Sequence, residues 1–322
     1  MAQLRSAISV PGRSGIVADL EDALQDYFGV RHAVAVSSGT AQPRRHVTHL
    51  WGRPVAMLVI KGIAKTHNLL LLEDGSHAHG ASHGGKKVGT FGMAGAFSLN
   101  SPNPLSGGEG GFVLTDDDET YDQLLMFGHY NKRARSEIPA EHRLGKYAVT
   151  GSGLKLRIHP LAAAIAHDQL GRLDGYLVGR AEIARYLTEE FARIPGLEVI
   201  PMPEGVVPSW YGLTLTYRPQ ELGGLSVERF HQALVAEGAV EFDRPGSTCP
   251  LSQLPLYQSP AILFPGRPHA HRRYRAGDFP VAEHTHAHTI KLPVWHREQD
   301  RPPAEQYIRA AIKVSDHHKE LL

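Results

Sequence analysis

Cysteine is almost missing from this sequence. Among 322 residues only Cys249 is a cysteine. A disulfide within the chain is therefore excluded, and so small a thiol content fits a reducing cytoplasm. Cys249 sits in the loop-like stretch Ser247-Thr248-Cys249-Pro250. A nucleophilic thiol is conceivable there, and an ordinary loop cysteine is the plainer reading. Long apolar runs are also absent. None approaches the ~20 residues of a membrane span, and the first residues lack the unbroken apolar stretch of a secretory signal. Charge of one sign is lacking as well. The net charge is +1 with histidine neutral, which gives no strong attraction to nucleic acid or to a membrane surface.

Histidine, in contrast, is plentiful, with 20 residues. The net charge therefore climbs as pH falls through about 6.5. A composition of 42% hydrophobic and 21% charged residues is that of a soluble globular protein. The length suits a large domain followed by a smaller one, with 1–175 as the first and 176–322 as the second.

Residues 15–28 carry Ile16, Leu20, Ala23, Leu24 and Tyr27 at helical spacing. Ala33 to Val36 is a short apolar strand that stops at Ser37-Ser38-Gly39-Thr40. A strand ending in a small glycine-containing loop can turn backbone N–H groups toward a phosphate, although many such loops are ordinary turns. His46 to Leu50 reads as a brief strand and Val55 to His67 as a helix. Leu69 to Leu72 is a continuous apolar run, the pattern of a strand buried on both faces, and it ends in Glu73-Asp74. Carboxylates at the carboxyl end of a parallel strand stand where open α/β sheets bind ligands. Residues 75–92 read as loop, 95–99 and 112–115 as strands, and 119–127 as a helix. Residues 128–153 read as a long basic loop. Two helices, 160–173 and 176–194, follow. Beyond them, strands at 197–200, 212–217, 239–242 and 289–292 alternate with helices at 227–237 and 303–320.

Four segments occur in order: AVAVSSGTA, LLLLEDGSHAHGA, AFSLNSPNPLSGGEGGFVLTDD and GLKLRIHPLAAAIAHDQL, with TIKLPVW near the end. Together they resemble the DegT/DnrJ/EryC1/StrS family of pyridoxal-phosphate-dependent sugar and cyclitol aminotransferases, from about Gly15 to Leu322. The resemblance implies a cut-down version of PLP-dependent transferase fold type I, which is aspartate-aminotransferase-like. Its large α/β domain has a mostly parallel sheet, and a small α/β domain follows. It also implies pyridoxal phosphate or pyridoxamine phosphate as cofactor, a keto-sugar or keto-cyclitol and an amino donor as substrates, and a homodimer.

Residue by residue, Gly39 and Thr40 resemble the phosphate cradle. Asp74 resembles the acid that pairs with the pyridine nitrogen and keeps the ring an electron sink. His77 stands where the family carries Gln or His beside the ring oxygen. Ser98 resembles a further phosphate contact. Arg157 resembles an arginine of the substrate site, with a structural ion pair as its alternative.

Two departures stand out. The family's Schiff-base lysine falls, in register with Gly108-Glu109-Gly110-Gly111, on Asn103. An amide has neither the amine nor the basicity for that chemistry. A cofactor bound here would be held without a covalent bond. Lys86 and Lys87 are near in sequence but belong to a loop where a solvated lysine is expected. The second departure is a gap. Ser37–Thr40 is followed within a few residues by the HVTHLWG segment, whereas a parallel crossover needs a dozen residues or more. Sheet elements of the family are expected to be missing, leaving edges or apolar surface uncovered.

The degenerate site allows a second class of function. The chain would then be a non-catalytic accessory subunit or pseudoenzyme that pairs with an active paralogue and offers segments such as His129 to Arg143. A weaker third class is a metal protein. His77, His79 and His83 lie in one loop, and His284, His286 and His288 alternate. On a strand the second trio would share a face, but no fourth ligand is evident and no metal site is assigned.

Overall fold

The computed structural model describes residues 13–39, 46–246, 249–263, 265 and 274–322. The chain opens with α1 (Gly15–Phe28), β1 (His32–Val36), β2 (His46–Thr48), α2 (Met57–Thr66) and β3 (Leu72–Asp74). It continues with β4 (Ser82–His83), β5 (Lys86–Lys87), β6 (Ala94–Ser98), β7 (Gly111–Thr115), α3 (Asp118–Gly128) and α4 (Arg133–Glu137). Next come α5 (Pro160–Leu170), α6 (Leu173–Phe191), β8 (Leu197–Val199), β9 (Val206–Val207), β10 (Gly212–Tyr217) and α7 (Val227–Ala236). The last elements are α8 (Pro255–Gln258), α9 (Pro280–His288), β11 (Thr289–Pro293) and α10 (Arg301–Asp316). Two compact units result. One comprises Met1–Ala181 with Met202–Tyr211, the other Glu182–Pro201 with Gly212–Leu322.

The first unit is built on a five-stranded sheet in the order β1-β7-β6-β3-β2. β2 pairs parallel to β3 and β3 parallel to β6, whereas β7 is antiparallel to both β6 and β1. Four strands thus run one way and β7 alone is reversed. Side chains alternate between the two faces as the pleat requires. Ala33, Ala35, Phe97, Phe112 and Leu114 pack with α1 and α5. Val34, Val36, Ala94, Ala96 and Val113 pack with Leu125 and Met126 of α3 on the other side. Phe97 stacks on Phe112 with centroids 4.7 Å apart and planes 9° apart. A Cβ on Gly89, whose φ is +86°, would come within 2.4 Å of the Phe97 ring, so this approach requires glycine.

Beneath the sheet, the buried Glu21 carboxylate accepts the Ala35 N–H at 2.8 Å and Arg133 Nη1 at 2.6 Å. Arg133 also bonds Glu137 at 2.8 Å through Nε. Burial pushes the Glu21 carboxyl up, opposed by the neighbouring Arg133. The 128–153 stretch is therefore partly internal. It contains α4, and His129 and Arg133 are 3% and 2% exposed. These two side chains are held inside the unit and are not offered to a partner.

The second unit has a three-stranded antiparallel sheet, β11-β10-β8. It is packed by Phe230 of α7 and Tyr307 of α10, with Phe242 near Tyr307 at 5.6 Å. The Tyr217 hydroxyl donates to the Leu225 carbonyl at 2.8 Å.

Several elements differ from expectation. Only Leu72 of the Leu69–Leu72 run is in a strand, and Leu69 and Leu70 are 44% and 68% exposed. Leu72 is in the core and Leu71 packs partly against Met57, Ala78 and Val88, whereas Leu69 and Leu70 precede the strand and lie outside both clusters. Residues 75–92 contain the β4–β5 hairpin. Ala239–Phe242 is a turn, with a single bridge from Asp243 to Lys291. His284, His286 and His288 lie on helix α9, which separates the alternating trio. His284 and His288 stack at 4.1 Å instead.

Two buried histidines predict an acid response. His79 and His129 have no hydrogen-bond partner at either ring nitrogen. Burial, helped by the nearby His77, pushes His79 down to about 3 from 6.5. Burial, helped by Arg133 and Arg157, pushes His129 down to about 3 from 6.5. Between those values the unfolded chain binds more protons, so stability is present above pH 6.5 and is lost as pH falls toward 3. Each histidine contributes a slope of about 1.4 kcal/mol per pH unit. Urea titrations at steps from pH 7 to pH 4.5 are expected to show His79→Leu with a slope lower than the parent's by about that amount. Parallel slopes for parent and variant would refute the neutral assignment.

Candidate functional site

β3, β6 and β1 end at one edge of the first unit's sheet, and β7 begins there. Glu73 and Asp74 close β3 and point to opposite faces. Glu73 is fully buried. Its carboxylate accepts the N–H groups of Gly89 at 2.7 Å, Phe91 at 2.7 Å and Gly92 at 2.8 Å. It also meets Nε2 of the buried His49 at 3.2 Å. Asp74 is half-buried, and its Oδ1 accepts the Ser76 N–H at 3.0 Å. It stands beside Ala96 in the ladder, two residues before Ser98.

Gly39 reaches the same edge from β1. A Cβ there would lie 2.8 Å from the Phe97 carbonyl carbon and 2.9 Å from the Ser98 nitrogen, so only glycine admits this contact. Gly111 closes the other side, where an added Cβ would meet the Gly39 nitrogen at 2.5 Å. The Ser98 hydroxyl accepts the Asn100 N–H at 3.2 Å. Thr40, the second residue of the expected cradle, lies outside the described residues. Arg157 bridges Val36 at the end of β1 and is half-buried. The structure therefore brings Gly39, Asp74, Ser98 and Arg157 to one edge.

Asn103 is also at this edge. It is 8% exposed, and its Nδ2 donates to the Ser98 carbonyl at 2.9 Å. The amide is thus used to close the turn after β6. Lys86 and Lys87 are engaged elsewhere. Their ammonium groups lie over the rings of Phe91 at 5.4 Å and Tyr27 at 4.3 Å.

His77 follows two residues after Gly75. Its ring stacks on Tyr211 at 4.0 Å with planes 11° apart, and Nδ1 accepts the Trp51 N–H at 3.3 Å. Its carbonyl accepts the Ser209 hydroxyl at 2.8 Å. Tyr211 and Trp51 escape a sequence reading. Their contacts with His77 span 134 and 26 residues, and neither lies in a periodic segment. Among the described residues no group of three or more His, Cys, Asp or Glu side chains could hold a metal ion, and no helix is long and apolar enough to cross a membrane.

Gly39 after β1, the Ser98 hydroxyl at the end of β6 and the Asp74 carboxylate at the end of the adjacent β3 thus share one edge of the sheet, and these are residue types able to meet a phosphate and a ring nitrogen. Residues 46–305 match the sequence profile of the DegT/DnrJ/EryC1/StrS aminotransferase family, and the chain belongs to that family. The family is pyridoxal-phosphate dependent, and the fold is that of type I PLP-dependent aminotransferases. The L-glutamine:scyllo-inosose aminotransferase of Streptomyces griseus is 29% identical over 291 residues, 85% of this chain and 65% of that protein. The spore coat polysaccharide biosynthesis protein SpsC of Bacillus subtilis is 26% identical, over 95% of this chain and 75% of that protein.

Among solved structures, an aminotransferase from Psychrobacter cryohalolentis superposes with a TM-score of 0.75 at 17% identity, covering 95% of this chain and 92% of that one. The GDP-4-keto-6-deoxy-D-mannose-3-dehydratase of E. coli, with bound hydrated PLP, gives 0.74 at 20% identity, covering 93% and 92%. At these identities the likeness shows the fold. The chain spans about half to three quarters of the length of the curated relatives it matches, from 45% to 75%.

Glu73→Ala would leave three buried N–H donors and His49 without their acceptor. The variant is expected to lose about 3 kcal/mol of stability, read as a lower midpoint in urea. Asp74→Asn, at a half-buried position, is expected to shift the midpoint far less. Equal midpoints for Glu73→Ala and the parent would show that the carboxylate does not hold the loop.

Proposed function

We propose that this chain binds pyridoxal phosphate or pyridoxamine phosphate without a covalent bond and does not complete transamination unaided. The observation that carries this reading is Asn103. It stands in the register of the family's lysine, and its amide nitrogen is committed to the Ser98 carbonyl. An amide nitrogen has no basic lone pair, so it neither attaches a carbonyl nor carries a proton between atoms of the reactants.

The other residues suit retention of the cofactor. Asp74 would hold the proton of the pyridine nitrogen, and Gly39 and Ser98 would receive the phosphate. Arg157 would face the substrate. When bound, the cofactor supplies a protonated aromatic ring that takes up an electron pair from a substrate carbon. The ligand class follows from relatives. The S. griseus protein is named for L-glutamine and a keto-cyclitol, and a Streptomyces venezuelae relative is named as a dTDP-amino-sugar transaminase. A keto-cyclitol or keto-sugar is accordingly the proposed ligand of this chain, in secondary-metabolite biosynthesis.

The accessory reading differs in one respect. There the cofactor edge is a relic, and the chain acts by pairing with a catalytic family member.

Absorbance titration of the purified chain with pyridoxal phosphate, and separately with pyridoxamine phosphate, decides between these. Saturable binding with no label fixed to protein by borohydride is expected. Asn103→Lys is expected to add a borohydride-fixed band. Fixation on the parent chain would mean that another lysine serves, and transamination would be restored as the reading. Absence of any binding would favour the accessory role.

A further inference from the structure

His49 follows β2 directly, and each of its polar groups is engaged. Its N–H donates to the Asp74 carbonyl at 3.0 Å, which carries the parallel β2–β3 pairing one bond further. Its carbonyl accepts the Gly52 N–H at 3.3 Å. The Val55 N–H lies 3.3 Å from Nδ1, and Nε2 lies 3.2 Å from the Glu73 carboxylate. The side chain is fully buried. The turn that brings Val55 back to the ring is tight, with Trp51 at φ 55° and ψ 23° and Gly52 at φ +81°. A left-handed tryptophan persists only where surrounding contacts determine it, and the two bonds back to His49 are such contacts.

Two of these contacts agree on where the imidazole hydrogen resides. A backbone N–H only donates, so Nδ1 presents its lone pair to Val55. A carboxylate only accepts, so Nε2 carries the hydrogen toward Glu73. The opposite tautomer would set N–H against N–H at Val55 and a lone pair against the carboxylate, both away from water, where an unmet polar group is costly. The carboxylate has about four acceptor positions on its two oxygens. Oε1 takes the Phe91 and Gly92 N–H groups, Oε2 takes that of Gly89, and His49 is the fourth donor. One residue thus holds both members of the Glu73-Asp74 pair, the first by its side chain and the second by its backbone.

We propose that His49, in its Nε2–H form, is a positioning residue for Asp74. Its ring keeps the Glu73 carboxylate turned inward, and its N–H keeps the Asp74 backbone in register with β2. The Asp74 side chain, on the opposite face of β3, is thereby held in one orientation at the sheet edge, where its Oδ1 accepts the Ser76 N–H at 3.0 Å. That this carboxylate meets a pyridine nitrogen rests on the proposed function; the clamp on Asp74 does not. His49 acts through Glu73 and Asp74 and is not itself placed against the reactants.

Two amide substitutions in the full chain separate the contacts of the ring. The amide nitrogen of His49→Gln reaches the place of Nε2 and keeps a donor to Glu73. The amide oxygen of His49→Asn stands near the place of Nδ1 and keeps the acceptor for Val55, but no donor reaches Glu73. In 15N spectra of the histidine-labelled parent, the His49 signals, identified by their loss in His49→Gln, are expected to show the Nε2–H tautomer. Hydrogen exchange at the Ser76 amide is expected to match the parent in His49→Gln and to run about tenfold faster in His49→Asn, the scale of one hydrogen bond to a charged group, while the amides of β1 and β7 keep the parent's rates. Affinity for pyridoxamine phosphate is expected to fall about tenfold in His49→Asn and less than twofold in His49→Gln. The pH at which the bound ring nitrogen loses its proton is expected to fall by about one unit in His49→Asn alone. An Nδ1–H tautomer in the parent would overturn the proposal. So would Ser76 exchange unchanged in His49→Asn, or β1 and β7 amides accelerated as much as Ser76, which is the mark of a merely structural role. Should His49→Asn not fold, His49→Gln decides, since Ser76 exchange about tenfold faster than the parent's there overturns the clamp and parent-like exchange upholds it. If the parent binds no pyridoxamine phosphate, the cofactor reading fails, and the tautomer and the Ser76 exchange then uphold or overturn the clamp by themselves.

Discussion

The Glu73 carboxylate is the constraint on which the site depends. It is fully buried, and three backbone N–H groups from residues 89–92 converge on it together with His49. A buried charge of this kind is tolerable only when its lone pairs are met by donors. Meeting them pins the long turn-rich stretch after β3 back against the strand it left. That stretch carries Gly75, His77, His79 and Gly89. Because successive strand residues face opposite ways, the inward Glu73 also dictates that Asp74 faces outward at the edge. The scaffold carboxylate and the candidate cofactor carboxylate are thus adjacent in sequence and opposite in role. The first holds the second in place.

The same logic gives the motifs reasons to be present apart from catalysis. Gly39 and Gly111 are needed because strand ends meet without room for a Cβ. His79 fills space among Phe97 and Phe112 as a neutral ring. Asn103 closes the turn after β6 by bonding the Ser98 carbonyl. Each has a structural reason to be present that is independent of catalysis. A sequence can therefore display the family's pattern across most of its length without that pattern deciding what its site does. Membership follows from the fold and the matched residues. Activity must be argued from the site.

Much of this was legible in the sequence because it is local. β1, β6 and β7 are short apolar runs bounded by glycine, and α1 and α3 carry helical periodicity. The order of motifs placed Gly39, Asp74 and Ser98 at strand ends, where they are found. Non-local features were not legible. The Leu69–Leu72 run looks like a strand buried on both faces, but whether it is buried depends on a neighbouring layer that the run itself does not encode. His284, His286 and His288 alternate as strand residues would, yet Pro280 at the first turn of a helix sets a different period. Trp51 and Tyr211 carry no signal at all. Their roles come from backbone conformations and from partners far away in the chain.

The β2 side of the first unit's sheet shows how a sheet edge can be blunted on a strand and left apolar on the helix that follows. The family profile begins at residue 46, where β2 begins, and β2 is the last strand on that side. β2 is three residues long, and its His46 and Thr48 are exposed. A short polar strand is a poor template for further pairing, so the edge is blunted. The helix beside it in sequence is not blunted in the same way. Leu58, Val59 and Ile63 of α2 are 63%, 61% and 49% exposed, with Lys61 and Lys65 among them. Apolar side chains on a helix face are the residues that another layer would cover. Leu69 and Leu70, in the segment that leads from α2 into β3, are exposed as well. Apolar side chains are thus left open both on α2 and on the segment after it, between β2 and β3 in chain order, the last two strands on that side of the sheet.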